Sequence, residues 1–514
     1  MPFITRTVDQ GMLRGIDNAG TITFLGVPYG ADTSGANRFR PPQPAPRWEG
    51  IRDALTFGPT APQVDTRPAA AENGPRLLSM LYPRTGSPAE GGPIGEDCLR
   101  LNIWAPSDAS PSPRPVIVWL HGGGFTHGSG NEMAFNGDVL AQAGDLVVVT
   151  VTHRLGILGF LDLRELGEEH SANAGMLDIV AALDWVHANI AAFGGDPDRV
   201  TVCGQSGGSG KVAMLNAMPA AQGLFHRSIM MSGPFRRPAP EAVAASLRAH
   251  AMEIGGHSSV DELRAASLET LLDVQAEILR QAPLEPAGKG ELRVDFDSLP
   301  GFGPSHDAAD IPGDAFGDEA SELLAGKGLM IGWTAHEAGM FLADDPSYRV
   351  DLTADEASTR LEAMRPIDGI GYADLAGPRP AEPPHLVFAR RVSSLMFEKP
   401  AREIARLAAD RADGVWIYAF EQPTEVLGGL LGACHSLELA YVFGTVDRIP
   451  LTGRDLDRLA VSREMMGAWA RFAHEGDPGW DRSTADMQNV HCFGTPYGEG
   501  LSLPADVDMT APVV

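Results

Sequence analysis

The fold is decided by the stretch Val200-Thr201-Val202-Cys203-Gly204-Gln205-Ser206-Gly207-Gly208. Its first four residues favour a buried strand, and the small residues that continue to Met218 favour a closely packed helix. The pattern G-x-S-x-G between them is typical of a serine held on a sharp strand-to-helix turn. Side chains at positions 204 and 208 would clash with the crossing backbone, so glycine is required there. The stretch therefore predicts that the Ser206 hydroxyl stands at the carboxyl edge of a sheet as a nucleophile.

A second glycine-rich segment, His121-Gly122-Gly123-Gly124-Phe125, directly follows the apolar run VIVWL at 116–120. Three consecutive glycines are unfavourable unless the backbone itself is needed. An oxyanion hole needs accessible backbone, because its amides must approach the oxygen of a substrate without interference from side chains. A plain glycine-rich turn is the alternative, and the G-x-S-x-G motif elsewhere in the chain favours the oxyanion hole.

Further apolar runs continue the series and predict strands that are buried on both faces, at 146–151, 228–231, 328–332 and 415–420. Between them, residues 177–193 carry Ile179, Leu183, Val186 and Ile190 at helical spacing. Alternating strands and helices predict an α/β fold with a large, mostly parallel sheet and helices on both faces. We expect one domain over 1–514, with helix-rich cap insertions at 236–327 and 346–410.

The composition excludes several classes of partner. The 514 residues include 67 acidic and 40 basic side chains, a net charge of −27. This balance argues against binding to nucleic acid or to an anionic membrane surface. No signal peptide and no run of 18 apolar residues is visible, so we expect a cytoplasmic protein without a membrane anchor. Four scattered cysteines predict neither a disulfide scaffold nor a metal cluster, and no cofactor is expected. We also expect a monomer, although no motif bears on the oligomeric state.

The sequence resembles the type-B carboxylesterases, the cholinesterase-like branch of the α/β-hydrolases. The resemblance covers nearly the whole chain and follows six motifs in order: LGVPYG at 25–30, RFRPP at 38–42, GEDCLRLNI at 95–103, NIAAFGGDP at 189–197, the nucleophile motif, and FA with GDP at 472–478. It implies an α/β-hydrolase fold and a serine esterase of small-molecule substrates.

Chemistry and resemblance together indicate the partners of Ser206. A serine hydroxyl needs an imidazole to take its proton, and the imidazole needs a carboxylate to orient it. His435 lies in a loop similar to the family's histidine loop, and Glu337 matches the family's acid. The resemblance also implies that Ser232 contacts this acid and that Glu438 is a buried carboxylate near the site. His336 beside Glu337 does not indicate a metal, because Met340 breaks the H-E-x-x-H pattern.

Three positions depart from the family pattern. Gln205 replaces the usual glutamate before the nucleophile, which removes a negative charge and predicts weaker attraction for cationic alcohol groups, so we do not expect choline esters to be favoured substrates. Gly207 replaces a common alanine, from which we expect a looser and slightly roomier turn. Cys98 matches a cysteine that is disulfide-bonded in secreted relatives, but residues 57–63 hold no partner for it, so we expect a free thiol.

The expected mechanism is hydrolysis through an acyl-enzyme, with an oxyanion held by the amides of Gly123, Gly124 and Gly207. Apolar residues expected to line the substrate pocket are Leu81, Phe125, Met340 and Phe341. Such a pocket favours small to medium uncharged carboxylic esters. The same machinery could hydrolyse carbamates, amides or polyester fragments, and a non-catalytic binding protein of the same family is a further alternative.

A nucleotide-binding reading of GSGK at 208–211 fails. Its first glycine position is Gln205, and Val212 replaces the required hydroxyl residue.

Overall fold

The computed structural model describes residues 2–64, 73–83, 92–233, 236–281, 301–364 and 370–494. Its centre is a sheet of twelve strands in the order β1-β2-β3-β5-β7-β6-β8-β9-β10-β11-β12, with β4 beside β2. The strands are β1 (Phe3–Val8), β2 (Gly11–Asn18), β3 (Thr21–Pro28), β4 (Ile51–Asp53), β5 (Arg100–Pro106), β6 (Arg114–Leu120), β7 (Val147–Thr152), β8 (Gly195–Gln205), β9 (Arg227–Met231), β10 (Gly328–Thr334), β11 (Gly414–Phe420) and β12 (Val490–Phe493).

The parallel part of this sheet agrees with the apolar runs of the sequence. Strands β6 to β12 pair in parallel, and each predicted run coincides with one of them, although the run 146–151 begins one residue before β7. Strands β1, β2, β3 and β5 pair antiparallel at one side, and β5 joins them to β7. The α/β prediction is therefore confirmed, whereas the antiparallel extension was not predicted.

Helices surround the sheet: α1 (Asn73–Leu81), α2 (Asp138–Gly144), α3 (Gly156–Phe160), α4 (Ala174–Asn189), α5 (Gly207–Ala217), α6 (Glu241–Gly255), α7 (Val260–Ala265), α8 (Leu268–Gln281), α9 (Ala338–Leu342), α10 (Ala354–Ala363), α11 (Tyr372–Ala376), α12 (Pro384–Ser393), α13 (Lys399–Ala408), α14 (Leu439–Val442) and α15 (Asp457–Glu475). Helices α6 to α8 and α10 to α13 account for the helix-rich character of 236–327 and 346–410. The single domain over 1–514 stays a prediction.

Helix α4 is the helix that the apolar stripe predicted. It begins three residues earlier than predicted, and its last turn is a 3-10 turn, Ile190–Phe193, which ends at Gly194 with φ of +84°. The stripe residues are fully buried. The stretch Ser171–Phe193 is long and apolar enough to span a membrane by composition, but 61% of the window is buried inside the protein, as in a core helix.

A buried ion pair fastens α4 to the segment after β7. The Arg154 guanidinium donates to both carboxylate oxygens of Asp178, at 2.6 and 2.8 Å, and the Arg154 backbone N–H donates at 3.0 Å. Both side chains are almost inaccessible. Removing one partner of such a pair leaves an uncompensated charge in a medium of low polarity.

We therefore expect Asp178→Asn to lower the free energy of unfolding by about 3–5 kcal/mol. Chemical denaturation followed by fluorescence measures this loss. The control is Asp108→Asn, because Asp108 pairs with Arg114 from an exposed position and should contribute less than about 1 kcal/mol. Equal losses in the two variants would contradict the prediction.

Candidate active site

The turn between β8 and α5 holds Ser206 in a strained conformation. Its φ is +56° and its ψ is −124°, which residues other than glycine rarely adopt. The Ser206 N–H donates to the Met231 carbonyl at 2.8 Å. A Cβ atom at Gly204 would lie 2.3 Å from the Gly208 oxygen, and one at Gly208 would lie 2.1 Å from the Leu120 oxygen. The predicted need for glycine at both positions is confirmed.

Glu337 and His435 come together at the ends of neighbouring strands. Glu337 follows β10 and His435 follows β11, which pair in parallel. His435 Nδ1 lies 2.5 Å from Glu337 Oε2, and Glu337 Oε1 accepts the Thr334 N–H at 2.8 Å. The carboxylate is buried and both of its oxygens are bonded. This contact fixes the imidazole and leaves Nε2 directed away from the carboxylate.

Gln205 connects the nucleophile turn with His435. The Gln205 side-chain nitrogen lies 3.3 Å from His435 Nε2. The histidine is thus adjacent, in space, to the residue that precedes Ser206. A neutral amide therefore stands where the resemblance implies a carboxylate, and it contributes no negative charge beside the imidazole.

Glu438 lies behind this group and is fully buried. Burial, reinforced by the charge of nearby Glu337, raises the pKa of Glu438 well above its usual range. Burial and the neighbouring carboxylate therefore both favour the neutral form of the Glu438 carboxyl group. The Ser232 hydroxyl donates to Glu438 at 3.3 Å. The expectation that Ser232 contacts the acid Glu337 is therefore corrected, because the two oxygens of Glu337 contact the Thr334 N–H and His435 Nδ1 instead.

The glycine-rich loop after β6 approaches the nucleophile helix closely. Gly123, Gly124 and Phe125 all have positive φ, at +89°, +57° and +66°. A Cβ atom at Gly207 would lie 2.5 Å from the Gly124 nitrogen. The expectation of a roomier turn at Gly207 is therefore wrong, since the loop backbone occupies that space. The absence of a side chain lets the amides of the two segments come close together.

Two aromatic rings lie against the His435 imidazole. The centroid of Phe341 is 5.1 Å from it and that of Phe397 is 5.2 Å, and the two phenyl rings are parallel at 6.3 Å. Phe341 is 56% exposed, whereas Phe397 is buried. Sequence reasoning missed Phe397, which lies in a π-helical turn, Ser394–Glu398, between α12 and α13. An inserted residue of this kind leaves no signal in apolar periodicity.

The other predicted pocket residues lie in hydrophobic clusters. Leu81 packs in the same cluster as Leu77, and partly buried Met340 packs against that cluster. Phe125 packs edge to face on Phe160 at 5.5 Å. These contacts give all three a packing role, and a lining role for them stays a prediction.

His336 is a further residue that sequence reasoning undervalued. Its Nδ1 accepts the Ala433 N–H at 2.9 Å, and its Nε2 lies 2.9 Å from Glu382. Although burial opposes it, His336 and Arg390 lower the pKa of Glu382 to about 2. His336 therefore ties the segment of Glu337 to the loop of His435.

The predictions on metal and thiols can be compared with the structure. Within the described ranges, no three His, Cys, Asp or Glu side chains are grouped to hold a metal ion. No disulfide joins the four cysteines, and Cys98 is a buried thiol, as the sequence predicted.

Comparisons with known proteins agree with this geometry. The model of the carboxylesterase family matches residues 4–368 and 385–491. The chain is 35% identical to para-nitrobenzyl esterase of Bacillus subtilis over 484 residues, which is 92% of this chain and 90% of that protein. It is also 35% identical to phenmedipham hydrolase of Pseudarthrobacter oxydans over 490 residues, covering 93% and 92% of the two chains.

Solved structures of esterases are also similar to this chain. A PNB esterase superimposes with a TM-score of 0.76 at 32% identity, covering 95% of both chains. An esterase from Clostridium hathewayi, described as able to hydrolyse aliphatic aromatic polyesters, superimposes with a TM-score of 0.77 at 30% identity and covers 96% and 95%. The chain therefore belongs to the carboxylesterase family and has its α/β-hydrolase fold.

Proposed function

We propose that this carboxylic ester hydrolase works through an acyl-enzyme on Ser206, with His435 as the base and Glu337 as the acid that orients it. The observation that carries the proposal is the 2.5 Å contact between His435 Nδ1 and buried Glu337. The contact favours the tautomer with the proton on Nδ1, so that Nε2, which the Gln205 amide approaches to 3.3 Å, carries the lone pair that accepts the Ser206 proton. Glu337 then stabilises the imidazolium that forms.

The oxyanion is held by the amides of Gly123, Gly124 and Gly207. The close approach of Gly207 to Gly124 supports this assignment, because donors from two chain segments must converge on one oxygen. His435 then protonates the departing alcohol, and water hydrolyses the acyl-enzyme with His435 again acting as the base.

The substrates we propose are small to medium uncharged carboxylic esters. The rings of Phe341 and Phe397 offer an apolar surface beside His435, and neutral Gln205 gives no carboxylate to attract a cationic alcohol. Polyester fragments are a second candidate, supported by the fold shared with the Clostridium hathewayi esterase and by the exposure of Phe341.

Because Ser206, Glu337 and His435 are all present, a non-catalytic role is disfavoured. The free thiols support the cytoplasmic location that we also propose.

Replacement of the nucleophile tests the mechanism directly. We expect Ser206→Ala to lower p-nitrophenyl butyrate hydrolysis by about 10⁴-fold or more, and Glu337→Gln by roughly 10³-fold or more, since the first removes the nucleophile and the second the carboxylate partner of His435. Ser209→Ala, on the same helix, is the matched control and should retain activity. Hydrolysis by Ser206→Ala at the parental rate would contradict the acyl-enzyme.

A second prediction concerns the charge beside the nucleophile. Gln205→Glu should increase the ratio of kcat/KM for butyrylcholine over 3,3-dimethylbutyl butyrate, its uncharged analogue, by roughly threefold to tenfold. A carboxylate near the site attracts the quaternary ammonium by Coulomb interaction. The parental enzyme should show no preference for the cation. A strong parental preference for butyrylcholine, or an unchanged ratio in the variant, would show that Gln205 does not set this selectivity.

A further inference from the structure

A fully buried lysine lies on the helix that carries the nucleophile. Lys211 is on α5, five residues after Ser206, and its side chain is 0% exposed. An ammonium group is strongly hydrated in water, so complete burial is unfavourable unless something compensates for it. The proposed mechanism assigns no part to this residue.

The ammonium contacts the oxyanion loop at both of its ends. Lys211 Nζ donates to the His121 carbonyl oxygen at 2.8 Å, and it lies 5.7 Å from the centroid of the Phe125 ring. His121 and Phe125 are the first and last residues of the glycine-rich segment. The three glycines between them have no side chains that could fix their backbone, so Lys211 is placed to hold this segment against α5.

The groups around the ammonium are neutral. Among the residues that the structure describes, no carboxylate forms an ion pair with Lys211. The rings of His121 and His153 stack at 5.1 Å, and each directs its Nδ1 to a backbone carbonyl, which leaves both Nε2 atoms without a hydrogen-bond partner in the described chain. Burial, together with the charge of Lys211, lowers the pKa of both histidines well below their usual range.

Burial also lowers the pKa of Lys211, to about 7. A pKa of about 7 means that the ammonium is only partly populated in the free enzyme at neutral pH, because no counter-charge among the described residues stabilises it in this medium of low polarity. A negative charge that forms nearby would relieve this cost and hold the proton on Lys211. The ester reaction generates such a charge on the tetrahedral intermediate, at the loop that Lys211 contacts.

We propose that Lys211 is a positioning residue for the oxyanion hole, which fixes the glycine loop through the His121 carbonyl and supplies positive potential to the oxyanion. It acts through the loop peptides and does not touch the substrate. The hydrogen bond to His121 fixes the orientation of the His121–Gly122 peptide, at the start of the segment that carries the amides of Gly123 and Gly124. Because the stabilised charge exists only in the transition state and intermediate, the effect falls on kcat and not on substrate binding. The inference rests on the proposed acyl-enzyme mechanism.

A purely structural lysine is the alternative, and the chain provides a matched example. Lys327 precedes β10 at the opposite edge of the sheet from Ser206. It is also buried, donates to the Leu323 carbonyl at 2.8 Å, and lies 4.2 Å from the centroid of the Phe225 ring. Lys327→Met therefore removes a similar buried ammonium far from the site.

The test compares Lys211→Met with Lys327→Met by three measurements: kcat and KM for p-nitrophenyl butyrate, inhibition by an alkyl trifluoromethyl ketone, and the thermal unfolding midpoint. The ketone reports on the oxyanion because addition of the Ser206 hydroxyl to its carbonyl places a negative charge in the hole. For Lys211→Met we expect kcat to fall roughly tenfold to a hundredfold, with KM changed by less than about twofold. The inhibition constant of the ketone should rise by a similar factor. The unfolding midpoint should not fall, because methionine removes the uncompensated charge.

Two results for Lys211→Met would overturn the inference. One is an unchanged kcat. The other is a lower unfolding midpoint together with a higher KM and a higher inhibition constant of the ketone, as expected of a structural lysine. Lys327→Met should retain the parental kcat, and a loss equal to that of Lys211→Met would also count against the inference.

A second variant covers the case in which Lys211→Met does not fold. Lys211→Gln keeps an N–H donor without the charge and should show a smaller loss of kcat and of ketone affinity. If neither variant folds while Lys327→Met does, Lys211 serves the fold and the inference is wrong. The Ser206→Ala result separates the two proposals: an inactive Ser206→Ala beside a fully active Lys211→Met refutes only the role of Lys211.

Discussion

The site depends on one crossing of backbones, where the turn after β8 meets the loop after β6. Positions 204, 207 and 208 lie so close to backbone atoms of neighbouring segments that no Cβ fits at any of them without displacement. The crossing forces Ser206 into a positive φ and brings the amides of two segments together. A parallel sheet makes this possible, because the carboxyl ends of β6, β8, β10 and β11 meet at one edge. The positions of Glu337 and His435 follow from the same edge.

Charge at this edge is limited to few groups. Glu337 is paired with His435, burial raises the pKa of Glu438, and Gln205 is uncharged. The net charge of −27 therefore says little about the site, since the surplus carboxylates lie elsewhere. The Glu337 carboxylate contacts a single imidazole, that of His435. Lys211 is a further buried titratable group beside this edge, and its Nζ donates to the His121 carbonyl at the start of the glycine-rich loop.

The sequence predicted those parts of the molecule that backbone chemistry dictates. Continuous apolar runs identified the parallel strands, and glycine patterns identified both the nucleophile turn and the loop after β6. The antiparallel strands β1 and β2 were missed because partly exposed strands carry no continuous apolar run. Phe397 was missed because a π-helical turn brings it to His435 from a distant segment. Lys211 was seen only as part of a failed nucleotide motif, since burial cannot be read from residue type for lysine.

Backbone strain gives an independent argument for where the function lies. Eight residues other than glycine have positive φ in the described chain, and four of them belong to the site: Phe125, Ser206, Ser232 and Ser436. Each such conformation costs on the order of 1–3 kcal/mol outside turns that favour it. The buried side chains of Lys211 and Glu438 add unfavourable burial of titratable groups within the same region. Selection for packing alone would remove so many strained backbone conformations and buried titratable groups from one region. A site that must place a hydroxyl, an imidazole and several amides around one carbonyl carbon requires them.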